Sequence, residues 1–185
     1  MNLKSFVVTL AQSFKWHPER CSTFASIVMS LIHQGNVQHH ALGYLLVSSC
    51  MKSKLERIRR FFAKQVIDYE AFAKAMVLHV FKGTIPSMHL IMDRTNWKFG
   101  KTNINYLVLA VRVGKVTFPL FWRLLGHQGC SDSKERIELM NMFQRTFGFD
   151  KILSFTADRE FIGQDWLTYL CNKNIPFLSA LRIIA

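Results

Sequence analysis

The sequence predicts a mixed α/β fold: a small helical bundle, then strands and helices in the order β-β-β-α-β-α-β. Three observations predict it. The residue pattern changes near Gly83, from helical spacing before it to strand-like apolar runs after it. Gly114-Lys115 separates Asn105–Val113 from Val116–Leu125, as in a two-residue hairpin turn with glycine first. Two further apolar runs, Met88–Met92 and Ile152–Ala157, each lead directly into an aspartate, Asp93 and Asp158. Residues 1–83 are therefore expected to form a helical region, and 84–185 an incomplete α/β domain.

Each element has a local reason. Pro18 suits the first turn of a helix that Gly35-Asn36 would close. A second helix is expected over Val37–Cys50. A third is expected to open at Ser53-Lys54-Leu55-Glu56, a hydroxyl followed three residues later by Glu, as in a capping box. A fourth covers about Tyr69 to Phe81, with Asp68 as its N-cap. Beyond Gly83 the strand ending at Asp93 and the following hairpin form an antiparallel meander. Ser131-Asp132-Ser133 starts a helix whose Ile137, Met140, Phe143 and Phe147 share one face, and Gly148 stops it. After the strand Ile152–Ala157, a helix over about Gln164–Asn172 buries Trp166, Leu167 and Leu170. Asn174 and Pro176 end it, and Phe177–Ile183 is the fifth strand.

Half of the 185 residues are hydrophobic and 19% are charged, a composition for a packed core rather than general disorder. The net charge of +12 favours a polyanionic partner, either nucleic acid or an anionic membrane surface. Cys21–Met51 contains no Asp, Glu, Lys or Arg, but its polar centre, His33–His40, splits it into blocks too short to span a bilayer. Residues 1–16 lack the apolar core of a signal peptide, so a non-exported protein with no membrane partner is expected. Cys21, Cys50, Cys130 and Cys171 are widely spread and match no zinc template, and the seven histidines show no metal spacing.

The two aspartates carry the chemistry. A carboxylate at the end of each of two buried strands is placed to hold magnesium, which prefers hard oxygen donors. Two such ions polarise a phosphoryl oxygen, activate water and stabilise the leaving oxygen in phosphodiester chemistry. A third carboxylate normally completes the set, and no Asp or Glu follows Asp165. The element order, with aspartates on the first and fourth strands, is the ribonuclease-H-like arrangement.

Three stretches then occur in order: Asp93-Arg94-Thr95-Asn96-Trp97-Lys98-Phe99-Gly100, Pro119-Leu120-Phe121-Trp122 and Ala157-Asp158-Arg159-Glu160-Phe161-Ile162-Gly163. Together they resemble the DDE transposases of bacterial insertion sequences, in the group whose third acid lies in a Tyr-x-x-Arg-x-x-x-Glu helix. The likeness covers about Leu90 to Ile183. It implies Asp93 and Asp158 as the first two catalytic, metal-binding acids and magnesium as the cofactor. It also implies nicking at transposon ends followed by 3′-hydroxyl attack on target DNA. Its partners would be terminal inverted repeats and target DNA, in a nucleoid-associated prokaryotic cytoplasm, and it allows a homodimer. In such enzymes an inserted β-rich domain and the Glu helix come later. The expectation is therefore a C-terminally truncated fragment that does not transpose alone, with Glu160 too close to Asp158 to replace the missing acid.

Basic residues supply the remaining candidates. Arg57, Arg60 and Lys64 fall on one side of a helix whose Leu55, Ile58 and Phe62 line another, so they are expected to contact DNA phosphates. Arg94, Lys98 and Arg159, with Lys101 and Arg123, lie near the acids in sequence and are expected to neutralise phosphates there. Trp97 and Trp122 are read as packing residues closing a strand end, with base stacking as the other reading. A different class of function is a non-catalytic DNA-binding protein that occupies transposon ends or inhibits intact transposase. A remnant that folds poorly is a third.

Overall fold

The computed structural model describes residues 2–48, 50–127 and 129–179, and it divides into two compact units, one up to Phe72 and one from Ala73. The helical unit contains α1 (Leu3–Ser13), α2 (Pro18–Gln34), α3 (His39–Leu42), α4 (Met51–Lys64) and the start of α5 (Tyr69–Val80). The division thus falls inside α5, upstream of the change in pattern at Gly83.

Helix α1 is an addition to the elements anticipated from Pro18 onward. Asn2 caps it, its Oδ1 accepting the Ser5 N–H at 2.9 Å, and Leu3, Phe6, Val7 and Leu10 supply a helical apolar spacing. Pro18 opens α2, and Gly35, at φ 59°, closes it in the left-handed conformation that glycine tolerates. Ile27, Leu42, Leu46, Ile58 and Phe61 form the unit's core, flanked by Trp16 and Phe24.

Three local expectations fail here. Val37–Cys50 is not one helix, because only His39–Leu42 is helical. The Ser30 hydroxyl takes the Leu45 N–H at 3.0 Å, drawing the chain out of the helix while Leu42 and Leu46 stay buried. Ser53 does not cap α4. That helix starts at Met51 with Cys50 as N-cap, and Ser53 Oγ lies 3.2 Å from Cys50 Sγ. Phe61, not Phe62, joins the core; Phe62 is exposed and stacks on His39 at 5.9 Å. Asp68 does cap α5, its Oδ1 accepting the Glu70 and Ala71 N–H groups at 3.0 Å each.

The second unit is built on β1 (Met88–Phe99), β2 (Thr102–Val113), β3 (Val116–Leu125), α6 (Ser133–Phe147), β4 (Ile152–Ala157), α7 (Gln164–Asn172) and β5 (Phe177–Ser179). The sheet order is β3-β2-β1-β4-β5. The β1–β2 and β2–β3 pairs are antiparallel, and β1–β4 and β4–β5 are parallel. This is the ribonuclease-H-like arrangement that the sequence predicts. Gly114, at φ 60°, makes the turn between the paired Val113 and Val116. The anticipated continuation of β5 to Ile183 lies outside the described residues.

One face of the sheet carries the core. Leu90, Met92, Leu107, Leu109, Leu120 and Phe155 are buried with Leu139, Met140 and Phe143 of α6 and Trp166 and Leu170 of α7. A reciprocal capping box starts α6: Asp132 Oδ1 accepts the Glu135 N–H at 2.8 Å, and Glu135 Oε2 accepts the Asp132 N–H at 2.9 Å. One feature of β1 differs from expectation. The strand does not end at Asp93 but runs on to Phe99, because β2 continues to pair with it as far as Phe99↔Thr102.

These caps give a direct test. Asp132→Ala should lower stability by about 1 kcal/mol, whereas Ser53→Ala, at an exposed position that caps nothing, should change it by less than about 0.5 kcal/mol. Urea unfolding followed by circular dichroism distinguishes the two.

Candidate active site

The register between β1 and β4 builds the site. The parallel pairs run Leu90↔Phe155, Ile91↔Thr156 and Met92↔Ala157, and there they stop. Leu90, Phe155, Met92 and Ala157 point into the core and are buried, so strand alternation turns Asp93 to the other side, while Asp158 follows the end of β4. Both aspartates are exposed, each one residue past the last β1–β4 pair. Each carboxylate is held close to its own backbone. Asp93 Oδ1 accepts the Arg94 N–H at 2.7 Å, and Asp158 Oδ1 accepts the Arg159 N–H at 2.6 Å. Among the described residues no group of three or more His, Cys, Asp or Glu side chains converges to hold a metal.

Behind the pair lies a polar clamp. Arg94 donates from Nε and Nη2 to the two carboxylate oxygens of Glu160, at 3.0 and 3.1 Å, in a bidentate pair with side chains only 16% and 28% exposed. That bond with Glu160 raises the Arg94 pKa further above its ordinary value. Arg94 Nη1 also reaches Asn105 Oδ1 at 3.5 Å, and Asn105 in turn donates to the carbonyl oxygens of His127 and Gly129. Because Arg94 adjoins Asp93 and Glu160 lies two residues past Asp158, this ion pair ties the two acidic segments together. Arg136 of α6 holds the other end. It is 4% exposed, donates to the Ser131 hydroxyl and carbonyl and to the Ile162 carbonyl, and lies 5.2 Å over the Phe161 ring. Burial lowers its pKa.

The remaining expected residues divide by location. Lys98 and Lys101 sit exposed at the tip of the β1–β2 extension, and Arg159 is exposed beside Asp158. Arg123 is occupied by an ion pair with Glu138. Arg57, Arg60 and Lys64 belong to the helical unit. Arg57 Nε donates to Thr23 Oγ1 at 2.8 Å, which ties α4 to α2, and Arg60 Nε lies 3.8 Å from Glu56. With His17 and Arg20 they border an open groove of about 670 Å³ between those helices. Nothing in the sequence marks Arg20, which reaches the groove only through the packing of α2 on α4. Arg136, by contrast, left a signal: a charge set at helical spacing among Met140, Phe143 and Phe147.

No protein-family model matches this sequence, and no curated protein matches it. Among solved structures, similarity is found to the HTLV-2 integrase catalytic core domain in complex with magnesium, at 17% identity and a TM-score of 0.39, covering 52% of this chain and 63% of that one. The catalytic domain of Mos1 mariner transposase is similar at 12% identity and a TM-score of 0.42, with 65% of each chain covered. A simian T-cell lymphotropic virus intasome in complex with PP2A regulatory subunit B56 gamma is similar at 10% identity and a TM-score of 0.43, covering 83% of this chain and 52% of that one. The chain therefore spans between 52% and 65% of the length of these structures. The arrangement of the sheet is established by its own strand order and directions, not by these likenesses.

The clamp predicts a pattern of stabilities. Glu160→Ala strands a largely buried guanidinium and should cost on the order of 3 kcal/mol, while the double variant Arg94→Met/Glu160→Leu should recover most of that loss. Urea unfolding of the two variants beside the unsubstituted chain checks it.

Proposed function

We propose that this chain acts on DNA as part of a strand-cutting and strand-joining enzyme of the insertion-sequence DDE transposase kind. One observation carries the reading: Asp93 and Asp158 are both exposed, and each directly follows the last parallel β1–β4 pair, Met92↔Ala157. The ordered motifs of the sequence agree with it, since two of them contain these aspartates and the Arg94–Glu160 clamp joins those same two.

The donor set suits magnesium. It offers hard carboxylate oxygens, exposed to water and phosphate, and one or two carboxylates suffice when waters and substrate phosphates complete the shell. Asp93 and Asp158 would hold the ion, which when bound polarises a phosphoryl oxygen and activates water. Arg94 positions the two acids through Glu160 rather than meeting substrate. Lys98 and Arg159 remain the cations for the DNA backbone at this end of the sheet. In the helical unit, Arg60 and Lys64 present charge along the groove, with Arg20 opposite, and Arg57 braces it. Transposon ends and target DNA are the substrates of this reading, with a dimer as its working form.

A two-carboxylate site favours a further statement: these 185 residues by themselves bind DNA but do not cut it. This is also where the second reading, a DNA-binding protein acting on transposon ends, draws its support. Fluorescence anisotropy of a labelled duplex, titrated over salt with and without magnesium, tests both. Affinity should fall with salt, and replacing Arg60 and Lys64 together by Ala should reduce the log–log slope by about 0.9 for each phosphate that is no longer neutralised. Magnesium should tighten binding in the unsubstituted chain but not in Asp93→Ala. Equal response in Asp93→Ala would remove the metal site. Magnesium-dependent cleavage that disappears in Asp93→Ala would overturn the claim that this chain does not cut.

A further inference from the structure

The geometry points to a second DNA-contacting element beside the carboxylate pair: Trp97, on the β1–β2 extension, is a stacking platform for an unpaired nucleobase. The inference rests on the reading of Asp93 and Asp158 as the site of DNA chemistry.

Trp97 is not a packing residue. Its side chain is 62% exposed, whereas Trp166 is 1% exposed, stacked on Tyr169 and edge-on to Phe155. Trp16 likewise belongs to an aromatic group, 5.0 Å from Phe14 and 5.5 Å from Phe24. The expectation that Trp97 closes the strand end by packing is thus overturned.

Its place in the strand gives it a use. Beyond Met92, β1 has no pairing to β4 and is carried on by β2 alone, so this extension has one open edge. Trp97 lies four residues past Asp93, and strand alternation puts both on the same side of the sheet. At roughly 3.3 Å per residue the two are about 13 Å apart, the span of a few nucleotides of a single strand.

The electrostatics of the extension favour an anionic partner over a basic or purely apolar one, and the exposed indole adds the stacking surface that a nucleobase uses. Between Asp93 and Asp132 there is no Asp or Glu, and Lys98 and Lys101 are exposed at the tip of the extension. Lys98 follows Trp97 directly, and Lys101 follows the Gly100 turn, where φ is 59°. An exposed indole flanked by lysines is the combination that binds single strands, the ring stacking on a base and the ammonium groups meeting phosphates. A paired base inside a duplex offers no face for this, which restricts the platform to unpaired or terminal nucleotides.

The test is binding of a short thymidine oligonucleotide by the full chain in EDTA, so that no metal contributes. The unsubstituted chain should bind with quenching of tryptophan emission that is absent in Trp97→Phe. Trp97→Ala should weaken binding by roughly five- to a hundred-fold with an unchanged salt slope. Trp97→Phe should retain most of the affinity, and an abasic oligonucleotide should erase the difference between the variants. Affinity for a blunt-ended hairpin duplex should change far less. Equal oligonucleotide affinity in Trp97→Ala, a loss that Phe does not restore, or an equal loss on duplex would overturn the proposal. So would a dimer in sedimentation that Trp97→Ala dissociates, which would make Trp97 an interface residue between copies. If Trp97→Ala behaves as expected while Asp93→Asn leaves every magnesium effect unchanged, the platform stands and the reading of the carboxylate pair falls.

Discussion

The parallel pairing of β4 with β1 is the constraint on which the rest of this unit depends. It is held by burial: Leu90 and Met92 from one strand and Phe155 and Ala157 from the other lie in the core with Met140, Phe143 and Trp166. A slip of one residue in that register would turn buried side chains toward solvent and carry Asp158 to the wrong face of the sheet. The core therefore specifies the positions of the two carboxylates without touching either. Apolar packing sets the register, and each acid follows directly on the last pair of that register.

Polar contacts then fix what packing leaves loose. Asp158 lies one residue beyond the end of β4, where the ladder no longer restrains the chain. The Arg94–Glu160 pair and the Arg136 contacts with Ser131 and Ile162 take over at that point, holding the segment from both sides. Arg94 thus directs its charge inward. Arg159 beside Asp158, and Lys98 and Lys101 at the tip of the β1–β2 extension, are the exposed cations of this part of a chain whose net charge is +12.

What could be read from the sequence was what is decided locally. Gly35 and Gly114 mark a helix end and a hairpin because each supplies a positive φ that other residues resist. Asp68 and Asp132 mark helix starts because their side chains reach only two or three residues ahead. The aspartates stood out because each closes an apolar run. What could not be read depends on partners far away in the chain. Ser30 captures Leu45, fifteen residues on, and ends a helix that periodicity alone would continue. The choice of Phe61 over Phe62 turns on how α4 meets α2, and no spacing rule links Arg94 to Glu160 across 66 positions. The exposure of Trp97 was hidden for the same reason, since only the end of β4 pairing leaves that part of β1 uncovered.

The central claim is that Asp93 and Asp158 share one divalent-cation site. Titration of the purified chain with manganese, followed by electron paramagnetic resonance of the free ion, tests it most directly. Saturable binding is expected, abolished in Asp93→Asn and equally abolished in Asp158→Asn, with circular dichroism unchanged in both. Binding that survives either substitution, or no saturable binding by the unsubstituted chain, would contradict it.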